Sequence, residues 1–148
     1  MPRPVIFQTS LAQIFTPAER PEDANQDAVA WSASITVVGG DMIAQRTSTK
    51  LCERYAVAGG DGTGAAVGFA IYPFMTGADG KPIIGADTAV PSYLLGGGHH
   101  TAPIWQRGTF DLAEIRIGGV APATFAQVAT AFGASRVVQE PNGFVRVT

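Results

Sequence analysis

Two adjacent histidines, His99 and His100, sit in the run GGGHHTAP and are the only imidazoles in the chain. Imidazole is a common metal ligand, and its charge changes near neutral pH. A metal site needs three or four ligands in convergent geometry, and neither an HxH spacing nor a CxxC pair is present. Side by side in a glycine-rich loop, the two histidines read as solvated. Asp111 and Glu114 are the carboxylates best spaced for acid–base work, yet no histidine or lysine lies near them in sequence. On a strand their odd spacing sends them to opposite faces unless a bulge intervenes, so they read as surface charge. Cys52, the single cysteine, makes no intrachain disulfide and has no neighbouring base to activate it. It reads as a small apolar residue within a strand. With no GxSxG either, the polar residues form no catalytic constellation, and the chain reads as a protein that is not an enzyme.

The run AGGDGTGAAVG, from Ala58 to Gly68, invites comparison with a phosphate-binding loop. It fails in detail, because Gly62-Thr63-Gly64 is followed by Ala65, Ala66 and Val67, so GxGxxG is not met. It also leads into a strand, whereas a nucleotide loop opens a helix whose N-terminus faces the phosphate. Gly80-Lys81 is followed by Pro82 rather than by serine or threonine, which excludes a P-loop. Turns are what remain. No cofactor is implied.

The elements that would position these residues are short. Charged residues make up only 15% of the 148, with 18 glycines and 10 prolines, a composition that favours brief strands and many turns. The length suits one domain, given a usual ~100–200 residues. A hydrophobic fraction of 46% is enough for a core. Net charge is −2, from 10 basic and 12 acidic side chains with no basic run, so nucleic acid is not an expected partner. No window reaches the ~20 apolar residues of a membrane span, and the N-terminus lacks the apolar core of a signal peptide. The chain therefore reads as soluble and made in the cytoplasm.

Ile35 and Val37 alternate with polar or outward positions before Gly39-Gly40 break the strand, and Met42 to Ala44 forms a short apolar piece. Lys50 to Val57 predicts a strand, and Ala65 to Tyr72 another. In the latter, Val67, Phe69 and Ile71 should face one way, and Gly68, Ala70 and Tyr72 the other. Asp79-Gly80 marks a hairpin turn with Lys81 to Ile84 returning. Ser92 to Leu95 and Trp105 to Leu112 read as further strands, and a slip in phase between Leu112 and Ile115 calls for a bulge or a turn. One helix is predicted, Pro122 to Phe132, with Phe125, Val128, Ala129 and Phe132 on one stripe and Gly133 as its stop. Since Ala121 precedes Pro122, it lacks a good N-cap. A hairpin closes the chain, Arg136 to Gln139 and Phe144 to Val147 around Pro141-Asn142-Gly143. The fold class is α+β, mainly β: a compact domain of short strands with one packed helix and an extended N-terminal arm.

That arm occupies residues 1–29, and the β-rich domain residues 30–148. Pro2, Pro4, Pro17 and Pro21 keep the arm extended. Two apolar clusters lie within it, Val5-Ile6-Phe7 and Leu11 with Ile14-Phe15, followed by a polar linker from Glu19 to Asp27. Such an arm either adds a strand to a neighbour's sheet edge or remains a disordered terminus.

Taken in order, TSTKLCERY (Thr47 to Tyr55), DGTGAAVGFAIY (Asp61 to Tyr72) and GTFDLAEI (Gly108 to Ile115) resemble the lambda-like phage head decoration proteins. The likeness runs from Ser48 to the C-terminus and is strongest at Lys50-Leu51, Gly64 to Gly68 and Gly108 to Phe110. It departs in a longer excursion between Tyr72 and Gln106, and the first thirty residues match only as an extended arm. The resemblance implies a homotrimeric cement protein on the outer capsid surface of the virion, over local three-fold positions of the major capsid protein. It also implies that Val5, Ile6, Phe7, Leu11, Ile14 and Phe15 anchor a capsid-binding arm. A closed three-fold ring requires two different faces on each subunit. The small-residue face at Gly64, Ala66 and Gly68 is one candidate, and Trp105 with Phe110 the other. In such a trimer His99 and His100 would either stay solvated or meet at the axis in a shared metal site. The Phe74–Pro103 excursion would be an outward display loop or a contact with the next trimer. A trimeric tail or fibre-base component, and a small enzyme using the His99-His100 loop, are the alternative readings.

Overall fold

One long strand organises the chain. The computed structural model describes residues 14–18, 24–83 and 101–148. Its strands are β1 (Asn25–Ala30), β2 (Thr36–Val37), β3 (Met42–Gln45), β4 (Cys52–Arg54), β5 (Ala66–Ala70), β6 (Phe74–Thr76), β7 (Pro82–Ile83), β8 (Thr101–Asp111), β9 (Val137–Gln139) and β10 (Phe144–Val147). A helix, α1 (Phe125–Phe132), packs among them, and the fold is α+β and mainly β. The eleven residues of β8 pair with β1 over residues 101–107, with β5 at Ile104 and Trp105, and with β10 from Gly108 to Asp111. Pro103 has no N–H for a ladder, but it lies just past the last β5 pair, Ala70 with Ile104. At Gly108, where β8 changes partners, φ is +144° and a Cβ would lie 3.0 Å from the Phe110 ring. Only glycine fits there without strain.

The main sheet runs β4-β3-β5-β8-β10-β9, with β1 also on β8. It curls until Trp31, just after β1, bridges to Cys52 of β4, and the Ser32 amide donates to the Cys52 carbonyl at 2.9 Å. A small second sheet, β2-β6-β7, contains the hairpin turn at Asp79-Gly80.

Both faces of the sheet are covered at its central strands β3 and β5, which therefore read as nearly continuous apolar runs. Ile43, Ala70, Ile104 and Cys52 join Trp31, Val37 and Phe74 in one cluster. Met42, Ala44, Ala66, Phe69 and Phe110 face the other way and pack with Val128, Ala131 and Phe132 of α1 and with Val145 and Val147. A register shift between Ile43 and Ala44 places Ile43 opposite Gly68 but Ala44 opposite Ala66. The extra residue in β5 reverses its alternation, so Val67 packs with the first cluster and Phe69 with the second. The strict alternation expected for Val67 and Phe69 is corrected by this bulge.

Two boundaries also differ from expectation, at the start of the helix and at residues 29 and 30, while the slip after Leu112 is the turn it called for. The helix begins at Phe125, where Thr124 and Gln127 form a capping box: the Thr124 Oγ1 accepts from the Gln127 amide at 3.2 Å, and the Thr124 amide donates back at 2.8 Å. The slip after Leu112 is a 3₁₀ turn, Leu112–Glu114, capped by Asp111. The boundary at residues 29 and 30 falls on β1, so the domain takes in residues from 24, and from 14–18 as well. The strand expected at Ser92 to Leu95 lies outside the described residues.

Candidate functional site

The residues expected to bind a capsid divide at position 14. Val5, Ile6, Phe7 and Leu11 lie outside the described residues, and Ile14 is half-buried. Phe15 is 3% exposed and belongs to the core of its own domain. Its ring stacks on Phe110 at 5.0 Å between centroids and tilts against Phe69 at 5.5 Å. Its amide donates to the Ile71 carbonyl at 2.9 Å, and its carbonyl accepts from Trp105 Nε1 at 2.9 Å. The Ala18 amide donates to the Thr109 carbonyl at 2.7 Å. Phe15 is therefore corrected from a capsid anchor to a residue seated in the core of its own domain. A proline-flanked apolar pair on a terminus shows that something buries it, but not which chain does so.

Of the five residues expected at a trimer interface, three are taken up inside the subunit and two are half-buried. Ala66, Gly68 and Phe110 are buried within the subunit. A Cβ on Gly68 would fall 2.5 Å from the Trp105 carbonyl oxygen, so the small-residue face admits the chain's own β8. Gly64 is half-buried in the glycine-rich turn, where a Cβ would meet the Gly59 oxygen at 2.6 Å. Trp105 is half-buried, with its indole N–H committed to Phe15.

A buried carboxylate that the sequence reading missed holds three segments together. Asp41 is 0% exposed. Its Oδ2 accepts from the Val38 amide at 2.8 Å and from Arg54 Nε at 2.9 Å, while its Oδ1 accepts from the Gly119 amide at 2.7 Å. Arg116 Nη1 completes the cluster by donating to the Gly119 carbonyl at 3.0 Å. The signal was an aspartate set between Val37-Val38 and Met42-Ile43, since a charge inside an apolar run demands partners.

The glycine-rich turn is anchored by an outer network. Arg46 bonds Glu53 at 2.5 Å and lies 3.5 Å from Asp61. The Ser48 hydroxyl and amide donate to the two Asp61 oxygens at 2.6 and 3.1 Å. The Ser48 hydroxyl, more than the nearby Arg46, holds the Asp61 carboxyl below its ordinary range, and Glu53 raises the Arg46 guanidinium. This network closes the turn, with the Ser48 hydroxyl spent on Asp61.

The remaining candidates are structural where they are described. Burial, with a lesser effect from the Asp27 charge, pushes the Cys52 thiol up to about 11, so it stays protonated at neutral pH. Asp111 accepts from the Ala113 amide at 3.0 Å as a cap, and Glu114 is exposed on the 3₁₀ turn that follows. His99 and His100 lie outside the described residues. Among the described residues no group of three or more His, Cys, Asp and Glu side chains could hold a metal, and no helix is long and apolar enough to cross a membrane. Compared with family models, curated proteins and solved structures, the chain matches none.

Proposed function

We propose that this chain is a phage head decoration protein that binds the outer capsid surface as a trimer and cements the shell. The observation carrying this reading is the ordered motif series at Lys50-Leu51, Gly64 to Gly68 and Gly108 to Phe110. Its second and third pieces fall on β5 and β8, which pair directly, and its first leads into β4 of the same sheet. The mechanism is thermodynamic rather than catalytic. A ligand that binds only the mature shell favours it by RT ln(1 + [L]/Kd) per site, about 2.7 kcal/mol at 100-fold saturation. Three arms on one rigid trimer would add avidity. The root at Phe15 supports such a role for residues 1–13, because an arm fixed at its base loses less freedom on docking.

The test follows from the position of that root. Deleting residues 1–13 leaves Phe15 in its seat, so the truncated protein should fold and trimerise normally yet fail to co-sediment with expanded, undecorated shells. Full shell binding by the truncated protein would remove the clamp. A full-length trimer that binds tails and ignores shells would replace the decoration reading with a tail component.

A further inference from the structure

We propose that Asn142-Gly143, at the tip of the β9–β10 hairpin, is a self-modifying site that converts its own side-chain amide to a carboxylate. The Gly143 amide nitrogen attacks the Asn142 side-chain carbonyl carbon, Cγ, and closes a cyclic imide. The Cγ–Nδ2 bond breaks, and ammonia leaves with the proton shed by the Gly143 nitrogen. Water then opens the imide on one side of that nitrogen. Opening at Cγ gives aspartate; opening at the main-chain carbonyl carbon gives isoaspartate, whose backbone runs through the side chain. Nothing but water is consumed.

Asp61-Gly62, Asp79-Gly80 and Asn142-Gly143 are the places where an aspartate or asparagine precedes glycine, and the last alone has both reacting groups free. The Asp61 carboxylate is held by the Ser48 hydroxyl at 2.6 Å. The Asp79 carboxylate accepts from the Lys81 amide, and the Gly80 amide donates to the Gly77 carbonyl, each at 3.0 Å. An ionised carboxylate is also a far poorer electrophile than a neutral amide. Asn142 and Gly143 are exposed, and neither the Asn142 side chain nor the Gly143 amide makes a hydrogen bond among the described residues. Asn25, the chain's other asparagine, donates its Nδ2 to Gln106 Oε1 at 2.6 Å and precedes glutamine in β1. Asn142 lies at φ 65° and ψ 27° and Gly143 at φ 82°, the paired left-handed residues of a type I′ turn. That ψ turns the Gly143 nitrogen away from Cγ, so attack requires rotation about the Asn142 Cα–C bond. One hydrogen bond within the turn opposes the rotation, from the Phe144 amide to the Pro141 carbonyl. Glycine has no side chain to hinder the swing, and even a Cβ at 143 would meet nothing within 4 Å. Below the tip, the Glu140 amide donates to the Phe144 carbonyl at 2.9 Å and keeps the hairpin closed. The product adds a negative charge to a chain already at −2, and isoaspartate adds a main-chain carbon to the turn. Because ammonia is lost, the change accumulates with the age of the chain. The proposal is independent of the shell-binding reading.

The test is mass spectrometry of the full, folded chain after incubation in mildly alkaline buffer, with isoaspartate detected by enzymatic methylation. A gain of about 1 Da is expected, mapped to Asn142 and accompanied by methyl-accepting isoaspartate. N142G keeps the turn, since glycine takes the same φ without strain, and should lose the gain altogether. Asn25 should stay intact in the parent. The same chain unfolded in urea should react faster, because no turn restrains the rotation. The proposal is overturned if the folded parent gains no mass, whatever the unfolded chain does. It is also overturned if N142G gains as much as the parent, or if the change maps to Asn25 or to a glutamine.

Discussion

Asp41 satisfies three donors with two oxygens, and each donor belongs to a different part of the chain. Replacing it with asparagine keeps the shape but removes the charge opposite Arg54 and turns an N–H₂ toward at least one donor. Because Arg54 is 32% exposed and can recover water, the cost should fall below that of a fully buried pair. We expect D41N to lose about 2 kcal/mol in urea unfolding, and a loss near zero would mean that the cluster holds nothing together. Asp61 makes a different prediction, in pH. Its folded carboxyl lies below the ordinary 3.8, so the stability it contributes is fully present above that value. That contribution disappears as pH falls through the lower folded value, once both states are protonated. D61N should therefore flatten the acid limb of the melting-temperature profile below about pH 4 and shift the neutral plateau by a nearly constant amount. An acid limb unchanged from the parent would remove Asp61 from the account.

At the scale of elements, β5 and β8 approach too closely for any side chain at Gly68. G68A should separate them near Trp105 and cost about 1–3 kcal/mol, read as a lower denaturant midpoint with an unchanged slope. Local signals carried much of this level. Asp79-Gly80 and Pro141-Asn142-Gly143 mark their hairpins, Gly133 ends the helix, and the Gly39-Gly40 break precedes β3. Each depends on backbone freedom within a few residues, which sequence displays directly. Other elements were hidden because their cause is distant. Asn25-Gln26-Asp27 looks like a linker, since the strand it forms exists only through pairing with residues 104–107. Alternation along β5 failed at Val67 because the bulge is set by β3. Thr124 is hidden as a cap because Pro122 draws the expected helix start three residues early. The Asp41 cluster needed Arg54 and Gly119, neither of which is near it in sequence.

For the molecule as a whole, the unexpected component is the segment 14–18. Phe15 completes an aromatic group with Phe69, Phe110 and Phe132, whose successive ring centroids lie 5.5 Å or less apart. Removing its ring should cost about 3–5 kcal/mol, so F15A should melt well below the parent while the chain lacking residues 1–13 melts with it. Tryptophan emission should shift to the red in F15A alone, because without its ring the segment leaves its seat and carries the residue-15 main-chain carbonyl away from Trp105 Nε1. If both variants melted alike, the seat would contribute nothing to the body. The same attachment also fixes a path for mechanical load. Tension applied to the first thirteen residues would enter the body at Phe15 and pass across backbone bonds to Ile71, just past β5, and to Thr109 of β8 without first peeling β1 from the sheet. Residues 14–18 would thus take that load ahead of the β1–β8 ladder, so pulling on the N-terminus should unseat Phe15 before the sheet begins to part.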